Sequence, residues 1–253
     1  MAYDAPVLID SGRVIGRGFG ALGRNILPFL GAALLLTGLP TFFIRYASVS
    51  AFVSGQQAGP DSWLFWASML APWLLGALLQ GILVRATVFD LAGQGADIVR
   101  SSATALGLFL PIFAISLLTA LGLVVGIVLL IVPGVMFYIM MIVAVPALIE
   151  ERAGIFGSMR RSYRLTKGSW LQIFVLVILY ALLAAVILTI LGLALGVRNF
   201  GIGDNDPLMA AIASGLGSTA TAMIGGAMIA SLYIELRSVK EGATTDDLAS
   251  IFA

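Results

Sequence analysis

The sequence predicts an all-α integral membrane protein: six transmembrane helices in three pseudo-repeats, each preceded by a short amphipathic interfacial helix, with both termini on one side. Three observations predict it. The 253 residues are 60% hydrophobic and 11% charged, with a mean hydropathy of +1.06, whereas a soluble domain carries about 25% charge. The apolar residues form continuous runs of the length that about 30 Å of hydrocarbon requires. The basic residues collect on one side of those runs. So little charge cannot cover a water-facing surface, and disorder needs low hydrophobicity.

The runs fall at about residues 26–46, 63–83, 106–130, 131–149, 170–195 and 208–232, with residues 233–253 as a cytoplasmic tail. They belong to a single transmembrane domain, 1–253. Helices are favoured because a β-barrel would show segments of about ten residues with alternating polarity. Residues 1–23 lack the compact apolar stretch of a signal peptide, so the first span is expected to be its own insertion signal. The third and fourth runs are contiguous. The expected hairpin turn between them is at Pro133 and Gly134, since proline disfavours helix before it and glycine permits the turn. Asp206-Pro207 reads as the start of the sixth helix. The acidic turn before it, from Gly201, lacks the spacing and terminal Glu of a calcium loop.

Orientation follows from Lys and Arg. Arg13, Arg17, Arg24, Arg85, Arg100, Arg152, Arg160, Arg161, Arg164, Lys167, Arg237 and Lys240 fall on one side, and only Arg45 and Arg198 on the other. The positive-inside rule then places both termini in the cytoplasm.

Three stretches superpose without gaps at offsets of 83 and 61 residues. Arg17, Arg100 and Arg161 coincide, and Pro28 falls on Pro111. The 61-residue offset also lays Asp90 on Glu151, and Glu235 reads as the third copy of that acidic position. The unit is an interfacial helix, two spans and an acid at the cytoplasmic exit. Chance similarity among leucine-rich helices is the competing account. In the first interfacial helix Ile15, Phe19, Leu22 and Ile26 share one face and Arg13, Arg17 and Arg24 another. In the third, Met159, Tyr163, Thr166 and Trp170 form the apolar face, and Arg160, Arg164 and Lys167 the basic stripe. Such helices lie in the interface plane.

The candidate lipid-headgroup residues are therefore Arg17, Arg100, Arg160, Arg161, Arg164 and Lys167. Topology alone accounts for a basic cluster of this kind, and an anionic phospholipid site is the functional reading. Nucleic acid is set aside, because no aromatic ladder or extended basic domain accompanies the charges. Asp90, Glu150, Glu151 and Glu235 are charges at helix ends or salt-bridge acids that clamp the neighbouring arginines; as a set they are also a conceivable cation site. Inside the spans, Gln80 is the one amide at depth, read as an interhelical hydrogen bond ahead of a substrate ligand. Small residues around Gly215, Gly217, Gly225 and Gly226 suit close helix approach.

No catalytic residues, cofactor or metal site are expected. There is no cysteine or histidine, no serine or threonine has a base beside it, and no phosphate-cradling loop occurs.

Leu130-Ile-Val-Pro-Gly134, Pro146-Ala-Leu-Ile-Glu150, Met159-Arg-Arg-Ser-Tyr-Arg-Leu-Thr-Lys-Gly168-Ser-Trp170 and Tyr233-Ile-Glu-Leu-Arg237 resemble a family of six-span bacterial proteins. These are the glycerophosphoryl diester phosphodiesterase membrane domain and related uncharacterised inner-membrane proteins. Tyr163 stands where many members carry tryptophan. The resemblance implies a bacterial inner (plasma) membrane. The soluble phosphodiesterase domain of multidomain relatives has no counterpart here, so its activity is not expected to carry over. The expectation is a non-enzymatic protein that engages membrane lipids in homeostasis or scaffolding, with protein partners and oligomeric state left open. The alternative is a transporter or channel for an apolar or amphipathic solute.

Overall fold

The computed structural model describes residues 9–56, 59–197 and 206–242. Arg198, the turn residues 201–205 and the tail 243–253 lie outside the described residues. All regular structure among the described residues is helical. Three short helices, α1 (Ser11–Arg24), α4 (Ile98–Gly107) and α7 (Gly154–Thr166), alternate with six long apolar ones. The latter are α2 (Ile26–Val53), α3 (Trp63–Leu91), α5 (Phe109–Leu129), α6 (Ile131–Glu151), α8 (Trp170–Ala194) and α9 (Pro207–Glu241), each long and apolar enough to cross a membrane. The chain thus has the build of a polytopic membrane protein.

Helix starts follow local chemistry. Asp10 caps α1 by accepting from the Arg13 amide at 3.0 Å, and Asp97 caps α4 from the Arg100 amide at 2.9 Å. Such caps satisfy amides that have no partner inside the helix. Asp206 accepts from the Leu208 and Met209 amides with Pro207 in the first turn, as the Asp-Pro dipeptide predicts.

Two boundaries differ from expectation. The hairpin turn lies at Leu130, the single extended residue between α5 and α6 (φ −164°, ψ 141°), rather than at Pro133-Gly134. Proline is tolerated in a first helical turn, where its missing N–H has no intrahelical acceptor to lose, so Pro133 helps start α6 instead of breaking the chain. Gly134 serves the hairpin in another way: a Cβ placed on the facing Gly126 would stand 2.8 Å from the Gly134 nitrogen. The sixth helix, in turn, does not end at residue 232. It runs for 35 residues to Glu241, and Gly242 closes it at φ +64°. At 1.5 Å per residue this is about 52 Å, well beyond the hydrocarbon thickness. Its last three turns stand among α1, α6 and α7, and Tyr233, Ile234, Glu235 and Leu236 are buried there rather than lying in a tail.

The helix α9 packs on α1, α2, α3 and α8. Its small residues permit this. A Cβ at Gly215 would meet the Gly38 carbonyl oxygen at 2.9 Å, and one at Gly226 would meet Leu83 Cβ at 2.8 Å. Opposite Gly215 the backbone of α2 widens into a short π-helical turn, Leu34–Gly38. By contrast α5 and α8 are peripheral, with 11% of their apolar windows buried against 39% for α9. The core lies toward one end, built from most of residues 81–89 of α3, 143–149 of α6 and 230–236 of α9. Toward the other end Phe52, Trp63, Trp66, Val128, Leu193 and Leu208 are exposed, as lipid-facing side chains are.

Candidate functional site at the ion-paired face

The long helices leave the apolar layer at acidic residues, and those carboxylates are desolvated. Glu235, Glu150 and Asp90 have side chains 1%, 2% and 6% exposed. A carboxylate so placed needs a cation and donors within reach. Arg17 Nη1 stands 2.9 Å from Glu235, with Arg13 at 3.3 Å. Arg24 stands 2.6 Å from Asp90, which also accepts from Asn25 Nδ2 at 2.7 Å. Arg85 reaches Glu150 at 3.4 Å. Arg161 Nε donates to Glu151 at 2.8 Å, and its other arm pairs with Glu241. Tyr233 Oη donates to the same Glu151 oxygen at 2.9 Å, tying α9 into the cluster. Glu235 and Asp90 therefore clamp α1, and Glu151 clamps α7, against the ends of the spans, whereas Glu150 joins α3 to α6 through Arg85 and no ion pair among the described residues holds α4.

These contacts also act on the cations. The hydrogen bonds that Arg24 donates to Asp90 hold its guanidinium above its ordinary value, and those that Arg161 donates to Glu241 and Glu151 do so more strongly. Both remain charged at any physiological pH.

The six cations predicted to meet headgroups consequently divide. Arg17 and Arg161 are occupied by carboxylates, with side chains 28% and 15% exposed. Arg100 lies over the Phe89 ring at 5.3 Å, a ring that Arg85 also covers. Arg160, Arg164 and Lys167 face outward, and no ion pair among the described residues engages them. Sequence reasoning missed the partners Arg24, Asn25, Tyr233 and Glu241. The signal for Arg24 was its place on the Arg13–Arg17 face of α1; Tyr233 and Glu241 carried none, because the helix was expected to end before them.

The buried faces of the short helices overlap the apolar stripes read in the sequence only in part: Leu22 and Thr166 are buried, and Ile15, Met159 and Trp170 pack against the core. On α1 the face against α9 is Val14, Gly18, Ala21 and Leu22, while Phe19 and Ile26 are exposed. On α7 the buried face, packed chiefly on α6, is Ser158, Ser162, Leu165 and Thr166, and Tyr163 points outward. Small residues such as Gly18, Ala21, Ser158 and Ser162 share the protein-facing side with Val14, Leu22 and Leu165 and let the helices approach closely. Ser162 Oγ donates to the Met140 carbonyl at 2.6 Å, pinning α7 to α6. Replacing Ser162 by alanine is expected to cost about 1 kcal/mol in a thermal-unfolding measurement.

No known family model matches the chain, and no solved structure matches it.

Proposed function

We propose that this chain is a multi-pass protein of a bacterial inner membrane, with both termini in the cytoplasm, that engages anionic phospholipid through α7 in lipid homeostasis or scaffolding. One observation carries the reading. Along α7, Phe156, Arg160, Tyr163, Arg164 and Lys167 recur at helical spacing on one exposed face, so cations and aromatic rings alternate where headgroups and acyl chains meet. The opposite face is spent on packing. Each such cation adds about 1 kcal/mol of attraction to an anionic leaflet. Binding, not catalysis, is the role assigned.

Orientation rests on the one-sided Lys and Arg distribution and on the resemblance to the six-span inner-membrane family. The three-unit reading is supported by register and by pairing. The breaks between short helix and span, at Asn25, Leu108 and Ser169, are separated by the same 83 and 61 residues as Arg17, Arg100 and Arg161. Each of those arginines lies at the exit of a preceding unit: Arg161 on Glu151, Arg100 on Phe89 beside Asp90, and Arg17, closing the ring, on Glu235.

The test is lipid retention by native mass spectrometry from nanodiscs that mix phosphatidylglycerol with phosphatidylcholine. Arg160→Gln with Arg164→Gln removes about 2 kcal/mol of attraction, so preference for the anionic lipid should fall about thirtyfold. Thermal stability should not change, because neither side chain holds the fold. An unchanged preference in the folded variant overturns the reading.

A further inference from the structure

Two cavities of about 270 and 290 Å³ adjoin within the bundle. One lies between α3, α6, α8 and α9, the other between α3, α5 and α6, and Gly76, Gln80 and Tyr138 line both. Gln80 is near the middle of α3, so the shared wall lies deep in the apolar layer. Neither Gln80 nor Tyr138 makes a hydrogen bond to another described residue, and Thr119 Oγ1 in the second cavity is buried with no partner. Tyr180, on the first cavity, is by contrast satisfied, donating to the Thr221 carbonyl at 2.9 Å. The amide of Gln80 therefore faces neither the protein partner that its depth requires nor the interhelical bond expected from sequence. An amide without a partner in hydrocarbon costs several kcal/mol.

We propose that the joined cavities are a binding site for an uncharged amphiphile: an apolar body carrying a hydroxyl or carbonyl oxygen that hydrogen-bonds Gln80 and Tyr138. The chemistry of the walls selects this class. No Asp, Glu, Lys or Arg lines either cavity, so a charged ligand would be desolvated without compensation. The remaining walls are mainly hydrocarbon, which suits an alkyl body better than a water cluster, whose members each need two to four polar partners. Gln80 offers both a donor and an acceptor, Tyr138 a hydroxyl. The site is distinct from the headgroup face and does not depend on it.

Gly76 supplies the decisive variant. A Cβ there meets nothing within 4 Å, and Gly76 lines both cavities, so Gly76→Phe directs a ring into the void from a position with room for its Cβ. The purified full chain in nanodiscs is photolabelled with a diazirine-bearing octanol, and in parallel with matched octane and octanoate probes, followed by peptide mapping. The expected result is saturable labelling of the peptides carrying Gly76 and Tyr138 by the alcohol, about tenfold above both other probes. Gln80→Leu, which keeps the volume and removes the amide, should reduce the alcohol to the octane level with thermal stability held or raised. Gly76→Phe should abolish labelling by all three. Equal labelling by alcohol and alkane, stronger labelling by octanoate, alcohol labelling indifferent to Gln80→Leu, or no labelling at all (cavities filled by water only) would each overturn the proposal.

Discussion

Replacing Arg17 by alanine is expected to destabilise the protein by about 3 kcal/mol, because it strands a buried charge. Glu235 is 1% exposed, and Arg17 approaches it more closely than Arg13, whose own side chain is half exposed. Loss of Arg17 leaves a desolvated carboxylate with one half-exposed partner, Arg13, at 3.3 Å. The same step frees α1 from α9, which otherwise meets it across Gly18, where a Cβ would stand 3.0 Å from Met228 Sδ. Thermal unfolding in nanodiscs measures the cost, and limited proteolysis between α1 and α2 should become faster. Substituting both partners, Arg17→Met with Glu235→Leu, should recover most of the loss, since a hydrophobic pair has no desolvation penalty to offset. Arg24→Ala is the contrast: its side chain is 57% exposed and Asn25 still donates to Asp90, itself 6% exposed, so a smaller loss of about 1–2 kcal/mol is expected. Equal losses for Arg17→Ala and Arg24→Ala would contradict the argument from burial.

Gly126→Leu is expected to open the α5–α6 hairpin at a cost of about 3 kcal/mol, the upper part of the range for overpacking. The atoms nearest a new Cβ are backbone, Gly134 Cα at 2.5 Å and its nitrogen at 2.8 Å, with the Pro133 carbonyl carbon at 3.4 Å. No side chain can rotate aside, so the two helices must separate. Gly31→Leu supplies the comparison, since a Cβ at Gly31 meets nothing within 4 Å. Leucine there should stabilise by up to about 1 kcal/mol through helix propensity alone. Cysteine cross-linking across the hairpin, with thermal unfolding, separates the two outcomes; similar behaviour of both variants would remove the close-approach account of the hairpin.

The candidate site was legible in part. Arg17, Arg161, Asp90, Glu151 and Glu235 stand out because they share register across the chain, and pairing of acids with nearby arginines follows from placing charges at span exits. Which arginine meets which acid was not legible. Arg17 and Glu235 are joined only because the first short helix lies across the last span, a contact between opposite ends of the chain. The faces of α1 and α7 were legible in part for a related reason: Leu22 and Thr166 are buried as the stripes predict, but a helical wheel does not say that Phe19 and Tyr163 turn outward.

By itself the amino-acid sequence determined six helices of membrane-crossing length, the start of the last at Asp206-Pro207, and the separation of charge from apolar length. These are local consequences of hydropathy, capping and proline chemistry, each acting within a few residues. The tertiary structure alone decided that the hairpin turns at Leu130, that α9 continues to Glu241, that Arg160, Arg164 and Lys167 stay outward while Arg161 is taken up by carboxylates, and that Gln80 faces a void. Those outcomes depend on which backbones approach one another, and close approach is set by pairs of small residues and desolvated charges far apart in the chain.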